Sequence, residues 1–383
     1  MKFIHLSDLH IGKRFSELSL IDDQEYILNQ IIKIVDEITP QAVVIAGDVY
    51  DKSVPSAEAV VLFDSFLERL STRNLSVFII SGNHDSAERL SFGNKILSKN
   101  NIFISPVYNG EVSKVTLKDD FGDVCFYLLP FVKPSNVRPF FDEKIESYND
   151  AVRVIVDNLS VDTTKRNVLV THQFVTGATT CDSEEISVGG TDNIDYHIFD
   201  KFDYVALGHI HSPQSVGRDT VRYCGTPLKY SFSEVNNKNS VTVVEMNEKD
   251  VIKQDFIPLK PKHEMIEIKG SYNEVTGKAF YENLNNETDY FWITLTDEQD
   301  VLDALGKLRS IYHNILRLDY DNKRTRENKT VLADENAKEK TPYELFSEFY
   351  EKQNNEKLNE TQEKYINQLI TKEMEEQNWD RLK

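Results

Sequence analysis

The chain reads as an α/β protein, and three observations say so. Short apolar runs free of Gly and Pro, such as Phe3-Ile4-His5-Leu6 and Ala42-Val43-Val44-Ile45-Ala46, have the length and composition of buried strands. Between them lie segments with helical periodicity: Ile27, Leu28, Ile31, Ile34, Val35 and Ile38 make one apolar stripe. Each apolar run then stops at a nitrogen or oxygen donor, at the carboxyl end of a strand, where open α/β sheets place their sites.

Taken in order, the first strand ends in Asp8-Leu9-His10. Alternate residues of a strand share a face, so Asp8 and His10 are expected to point the same way. A helix follows from about Glu25 to Ile38, closed by Pro40, and the next strand, 42–46, ends in Gly47-Asp48-Val49-Tyr50-Asp51. The helix at about 56–71 carries Val60-Val61-Leu62-Phe63, Phe66, Leu67 and Leu70, more apolar surface than one sheet-facing stripe needs. It is either fully buried or turns a second face to another subunit.

A strand at 77–80 ends in Ser81-Gly82-Asn83-His84-Asp85, and 100–130 reads as short strands with turns at Asn109-Gly110 and Phe121-Gly122. The run 167–171 stops at His172, and 204–207 stops at Gly208-His209-Ile210-His211. Residues 221–225 and 241–246 look like the closing strands of a second sheet.

From about His263 the pattern becomes β-α-β-α-β, with strands at 265–268, 290–295 and 315–320 and helices at 272–284 and 301–311. This set has the size of a small domain and no ligand cluster, so it is expected to cap the site or position the substrate. The polar stretch 321–340, with Lys323, Arg324, Arg326 and Lys329, reads as a linker or, less simply, as a phosphate contact. Thr341-Pro342-Tyr343-Glu344 then starts a helix, with apolar stripes at Leu345, Phe346, Phe349 and Tyr350 and again at Tyr365, Ile366, Leu369 and Ile370. Short helices are marginal alone; these pack on the body or clasp a partner, and the linker favours the partner. The expected domains are therefore 1–262, 263–320, a linker at 321–340, and a helical tail at 341–383.

Composition narrows the function. A net charge of −19 over 383 residues excludes indiscriminate nucleic-acid binding, which needs clustered Lys and Arg, but allows DNA held by a local basic face or a partner. No apolar run reaches membrane-spanning length, and the first strand begins too early to leave room for a signal peptide. Three scattered cysteines, Cys125, Cys181 and Cys224, argue against a disulfide framework. The expectation is a cytoplasmic protein.

A lone Asp-x-His is a weak signal that arises often by chance. Five strand ends in succession carrying Asp8/His10, Asp48, Asn83/His84, His172 and His209/His211 are a strong one. Mixed carboxylate, imidazole and amide donors without Cys disfavour structural zinc and suit Mn²⁺, Fe²⁺ or Zn²⁺, with Mn²⁺ foremost and Mg²⁺ possible. Two such metals about 3.5–4 Å apart lower the pKa of a bridging water and clamp phosphate oxygens for in-line attack. They also offset the repulsion between Asp8 and Asp48.

In this order Asp-x-His, Gly-Asp-x-x-Asp, Gly-Asn-His-Asp, a lone His and Gly-His-x-His resemble the calcineurin-like metallophosphoesterases. The resemblance implies a four-layer α/β/β/α sandwich with a small α/β capping domain. It implies that Asp8, His10, Asp48 and His211 hold one metal, and that Asp48, Asn83, His172 and His209 hold the other, Asp48 bridging. It also implies that His84 binds no metal but contacts the scissile phosphate and helps the leaving oxygen, with Asp51 orienting it. The plain alternative for Asp51 is a solvated loop acid. His5, His197, His263 and His313 match no motif and read as ordinary core or surface histidines.

Longer stretches (2–14, 47–55, 82–90, 171–176, 202–214 and Gly225-Thr-Pro-Leu-Lys-Tyr-Ser-Phe-Ser-Glu234) resemble, more narrowly, the nuclease subunits of bacterial double-strand-break repair complexes. That resemblance implies 3′→5′ exonuclease and endonuclease activity on DNA, especially hairpins and blocked ends. It implies a homodimer, served by the apolar helix at 56–71, and an ATPase partner whose long coiled coil the tail grips. Two rivals stand beside it. One is another phosphoesterase of the same scaffold acting on small esters, although phosphatase relatives have Arg where this chain has Lys52. The other is a non-enzymatic scaffold subunit, a class that tends to lose ligands, whereas here every position is filled.

Overall fold

The computed structural model describes residues 1–15, 18–181, 184, 192–323 and 325, and, further on, 343, 346–347, 350–351, 357–359 and 361–370. The chain divides into two compact units, Met1–Met265 and Ile266–Lys383.

Two six-stranded sheets build the first unit. In one, the strands run Ile252–Pro258, Ser240–Met246, Lys2–Leu6, Ala42–Ala46, Ser76–Ile80, Ile102–Ile104, and the last four are mutually parallel. In the other the order is Gln214–Val216, Arg218–Tyr223, Tyr204–Gly208, Arg166–His172, Gly122–Leu129, Ser113–Asp119, with a parallel centre and antiparallel edges. The inner faces pack on each other through Phe3, Val44, Phe78, Phe126, Val168, Val170, Tyr204 and Ala206. Strand alternation makes this possible, because Phe3 and His5 face the second sheet while Ile4 and Leu6 face away. Fully buried His5 bonds Tyr204 Oη at 3.1 Å and the Leu207 carbonyl at 3.2 Å. Burial, with Arg222 nearby, lowers its pKa to about 3, so it is a neutral core histidine.

Helices complete the sandwich. Helix α1 (Ile21–Ile38) buries Ile27, Leu28, Ile31, Ile32, Ile34 and Val35 and starts four residues before the stripe predicts. Helix α2 (Ala57–Ser71) packs beside α1 and on the strand Ser76–Ile80. Its Ser56 cap accepts from the Ala59 amide at 3.3 Å. Phe63, Phe66 and Leu70 point inward, but Val60 and Val61 are exposed, so α2 is not the fully buried helix of the first alternative. On the far face of the second sheet lies helix Tyr148–Asn158, which the sequence reading passed over. Ser147 and Asp150 cap it reciprocally at 3.1 Å, and Val152, Ile155 and Val156 bury it. The edge strand Ile252–Pro258 was missed as well.

The second unit has a three-stranded sheet, Met265–Gly270, Tyr290–Leu295, Asn314–Tyr320, over a core of Ile268, Phe291, Ile293, Leu308 and Tyr312. The helix expected at 272–284 is two short ones, Tyr272–Val275 and Lys278–Tyr281, divided at Gly277. That at 301–311 is only Ala304–Arg309. Residues 361–370 are helical, whereas most of the expected linker and the first tail helix lie outside the described residues. Among the described residues no helix is long and apolar enough to cross a membrane.

Arg166 staples the sheets at the ends of their strands. It is 2% exposed and donates to the carbonyls of Met246 at 2.9 Å, Asn247 at 2.8 Å and Gly122 at 2.8 Å. It also pairs with Asp119, whose carboxyl it holds well below the usual carboxylate range. Replacing Arg166 by Met should lower stability by about 3 kcal/mol at neutral pH, because it leaves three carbonyls without their donor and Asp119 with the N-terminal ammonium as its remaining charged partner. A depressed carboxyl stabilises fully above its unfolded pKa and less below it, so this difference should shrink as the pH falls under about 4. Urea unfolding of both proteins at pH 7 and at about pH 3 checks the size and the sign.

Candidate metal centre

All five strand ends meet at one place on the seam between the sheets. The chain leaving the first strand is zipped to the chain leaving the next: the amides of Asp8, His10 and Ile11 donate to the carbonyls of Gly47, Asp48 and Val49 at 3.0, 3.0 and 2.9 Å. The strand itself stops at Leu6, so Asp8 and His10 do not converge by the pleat, as the sequence reading had it. They converge because the loop forces left-handed backbone on both, with φ of 51° and 44°. Asp48 (48°) and His209 (107°) share this conformation, which costs an L-residue free energy and is characteristic of functional loops.

Asp48, buried at 2% exposure, lies at the middle. Its Oδ2 is 3.3 Å from His172 Nε2 and 3.7 Å from His10 Nε2, and its Oδ1 accepts the His84 amide at 2.9 Å. His10 Nε2 faces His211 Nε2 at 3.2 Å. Asn83 Oδ1 lies 3.0 Å from both His172 Nε2 and His209 Nδ1. Asp8 Oδ1 accepts the His209 amide at 3.0 Å, and donor atoms of Asp8, His10 and His211, and of Asp8, Asp48 and His172, fall within 4.8 Å of one another. The structure thus brings together all eight strand-end residues. Ring nitrogens facing each other, and facing one amide oxygen, are lone pairs aimed at common points, and this donor set fits divalent cations.

Electrostatics agree. Burial raises Asp8 to about 6, against the pull of His172 and His211. Burial also opposes ionisation of Asp48, but His172, His10 and His84 outweigh it and hold its carboxyl far below the ordinary range. His172 rises to about 9, since the attraction of Asp48 and Asp8 exceeds the cost of burial. His209 falls to about 3 and His10 well below its usual value, mainly through burial.

Asp51 is present but oriented differently from expectation. Its backbone carbonyl, not its carboxylate, accepts from His84 Nδ1 at 3.1 Å. The carboxylate pairs with Lys13 at 2.8 Å and lies 3.9 Å from His10 Nδ1. Several supporting residues escaped the sequence reading. Asp85 accepts the amides of Val49, Tyr50 and Gly82 at 3.1, 2.9 and 2.9 Å, fastening two of the loops together. Gln24 donates to the His10 carbonyl at 2.7 Å, and Glu234 meets His211 Nδ1 at 3.0 Å. Asp85 and Glu234 each stood inside a quoted motif; neither carried a signal separating it from its polar neighbours.

With fold and site in hand, the class is clear: the calcineurin-like phosphoesterase profile matches residues 1–213, and the chain belongs to that family. Membership of this metallophosphoesterase family implies divalent metals at the centre. More narrowly, the chain is 36% identical over 323 residues to the SbcD component of the SbcCD nuclease from Staphylococcus epidermidis, covering 83% of this chain and 85% of that one, and it is a member of the SbcD group. A C-terminal profile described as the type 5 capsule protein repressor C-terminal domain matches 261–354. Among solved structures, a dimetal phosphatase from Danio rerio aligns with a TM-score of 0.41 at 11% identity, covering 68% of this chain and 99% of that one. A Thermus thermophilus protein gives 0.38 at 11%, covering 67% and 98%.

The loops approach too closely for side chains at several glycines, Gly47, Gly82 and Gly208 among them. A Cβ on Gly82 would lie 2.1 Å from Asp48 Oδ1, and one on Gly208 would lie 1.9 Å from the Ala46 carbonyl oxygen. Gly82→Ala should therefore displace the Asp48 carboxylate, at a cost of about 1–3 kcal/mol, and weaken divalent-metal binding. Thermal melting with and without Mn²⁺ checks this; an unchanged metal-induced shift would show that Asp48 had not moved.

Proposed function

We propose that this protein is a two-metal-dependent DNA nuclease, with 3′→5′ exonuclease and endonuclease activity on hairpins and blocked ends, working with an SbcC-type ATPase in DNA repair and recombination. One observation carries the reading. Every donor of a two-metal phosphoesterase centre converges around Asp48 in a chain similar over most of its length to a component of the SbcCD nuclease.

In this reading Asp8, His10, Asp48 and His211 hold one metal, and Asp48, Asn83, His172 and His209 the other. Mn²⁺ suits these donors best and Mg²⁺ stands second. When bound, the pair supplies an activated water and neutralises phosphate charge. The protein's part is to fix the donors and to handle the leaving group. His84 Nδ1–H donates to the Asp51 carbonyl, which leaves Nε2 as the atom available to the scissile phosphate and the departing oxygen. His84 is half-buried, as a residue that meets a polymer must be. Asp51 acts here through its backbone and through Lys13.

The remaining assignments rest on the same reading. The unit from about 263 to 320 positions DNA, 321–340 links it to the tail, and 341–383 grips the partner's coiled coil. Dimerisation uses the α2 face. Val61 is 68% and Phe92 86% exposed there, beside a groove of about 370 Å³ lined by Val60, Phe63, Leu67, Leu90 and Leu97. Two copies and two ATPase chains would form a cytoplasmic heterotetramer.

His84→Gln should lower Mn²⁺-dependent cleavage of linear and hairpin DNA by about 10²–10⁴-fold, while calorimetric Mn²⁺ affinity stays at the wild-type value. Fast turnover of small phosphoesters with intact DNA would instead favour a phosphatase-like enzyme. Truncation after Asp321 should preserve nuclease activity and abolish co-purification with the ATPase; retained association would remove the tail from the interface.

A further inference from the structure

The imidazoles at the centre are not supported alike. His172 Nδ1 bonds a neutral group, the Ala46 carbonyl, at 2.8 Å. His209 turns Nδ1 to Asn83. Among the described residues, His211 alone of the four assigned ligand histidines has a carboxylate within hydrogen-bond reach of its Nδ1: Glu234 Oε1, at 3.0 Å. Glu234 is fully buried, and its other oxygen accepts the Tyr230 amide at 3.0 Å and the Thr226 hydroxyl at 3.4 Å, so the carboxylate cannot swing away.

The segment that carries Glu234 also supports His10. Tyr230, four residues earlier, donates its hydroxyl to the Leu9 carbonyl, accepts from Gln24 Nε2 at 3.1 Å, and sets its ring edge-on to His10 with centroids 5.5 Å apart. Residues 225–234 therefore back His10 and His211, the two histidines assigned to the same metal. A carboxylate that accepts a hydrogen bond from Nδ1–H fixes the tautomer, aims Nε2 into the site, and makes that nitrogen a better donor.

We infer that Glu234 is a positioning residue for His211 that sets the affinity of one metal position, the one assigned to Asp8, His10, Asp48 and His211, and leaves the other untouched. This rests on the two-metal reading above. The two positions are then unequal by construction. One is backed by a buried charge; at the other, His172 is backed by a backbone carbonyl.

The test uses the full chain and Mn²⁺ alone. Calorimetric titration of the wild type should resolve two equivalents. In Glu234→Ala one of them should weaken by about 10–100-fold while the second stays unchanged, and Glu234→Gln, which keeps an acceptor for Nδ1–H, should fall between. Nitrogen-15 histidine spectra of the metal-free proteins give an independent readout. His211 should be the Nδ1–H tautomer in the wild type and in the Gln variant, and should lose that preference in the Ala variant. Both equivalents intact in the Ala variant, or both weakened alike, would overturn the inference. So would an unchanged tautomer in a variant whose metal-free melting shows it folded. A wild type that binds no Mn²⁺ would fail the metal reading itself, an outcome distinct from two bound ions indifferent to Glu234.

Discussion

A carboxylate buried among imidazoles is costly unless its charge is answered, and Asp48 is buried with His10, His84 and His172 as its nearest neighbours. Much of the local architecture exists to make that arrangement possible. Gly82 has no side chain because Asp48 Oδ1 occupies the space. The backbone at Asp8, His10, Asp48 and His209 is held left-handed by hydrogen bonds from neighbouring loops. Asp85 is raised to about 6 by burial and by the charge of Asp48, yet it remains where three amides need an acceptor. A site assembled at such local expense keeps its geometry only because the sheets beneath it are rigid.

The sheets were readable because their strands are buried on both faces and so appear as unbroken apolar runs. The donors were readable because each follows such a run at once. What escaped was whatever depends on tertiary approach. Helix Tyr148–Asn158 mixes apolar and polar residues after a polar loop, and only the Ser147–Asp150 pair marked its start. The strand Ile252–Pro258 lies at an exposed edge and carries three consecutive polar residues, Lys253, Gln254 and Asp255, which hide its period. Glu234 reaches His211 across twenty-three positions of chain, and no local spacing announces such a contact.

Asp51 illustrates a narrower limit. Motif position placed it beside His84, and it is there, but which of its oxygens faces the ring was open until the loop's path was known. The carbonyl does that work and frees the carboxylate for Lys13. A residue type in a motif therefore reports proximity more securely than it reports which atoms touch.

Asp8, Asp48 and Asn83 ride on one sheet, while His172, His209 and His211 ride on the other. No single strand carries both halves of the cluster. Slippage of the sandwich by one residue's rise, about 3.3 Å, would be as large as the 3.3 Å that now separates Asp48 from His172. The aromatic and aliphatic packing of Phe3, Phe78, Phe126 and Tyr204 thus acts as a gauge block: by forbidding shear, the greasy interior calibrates a polar assembly built at its edge.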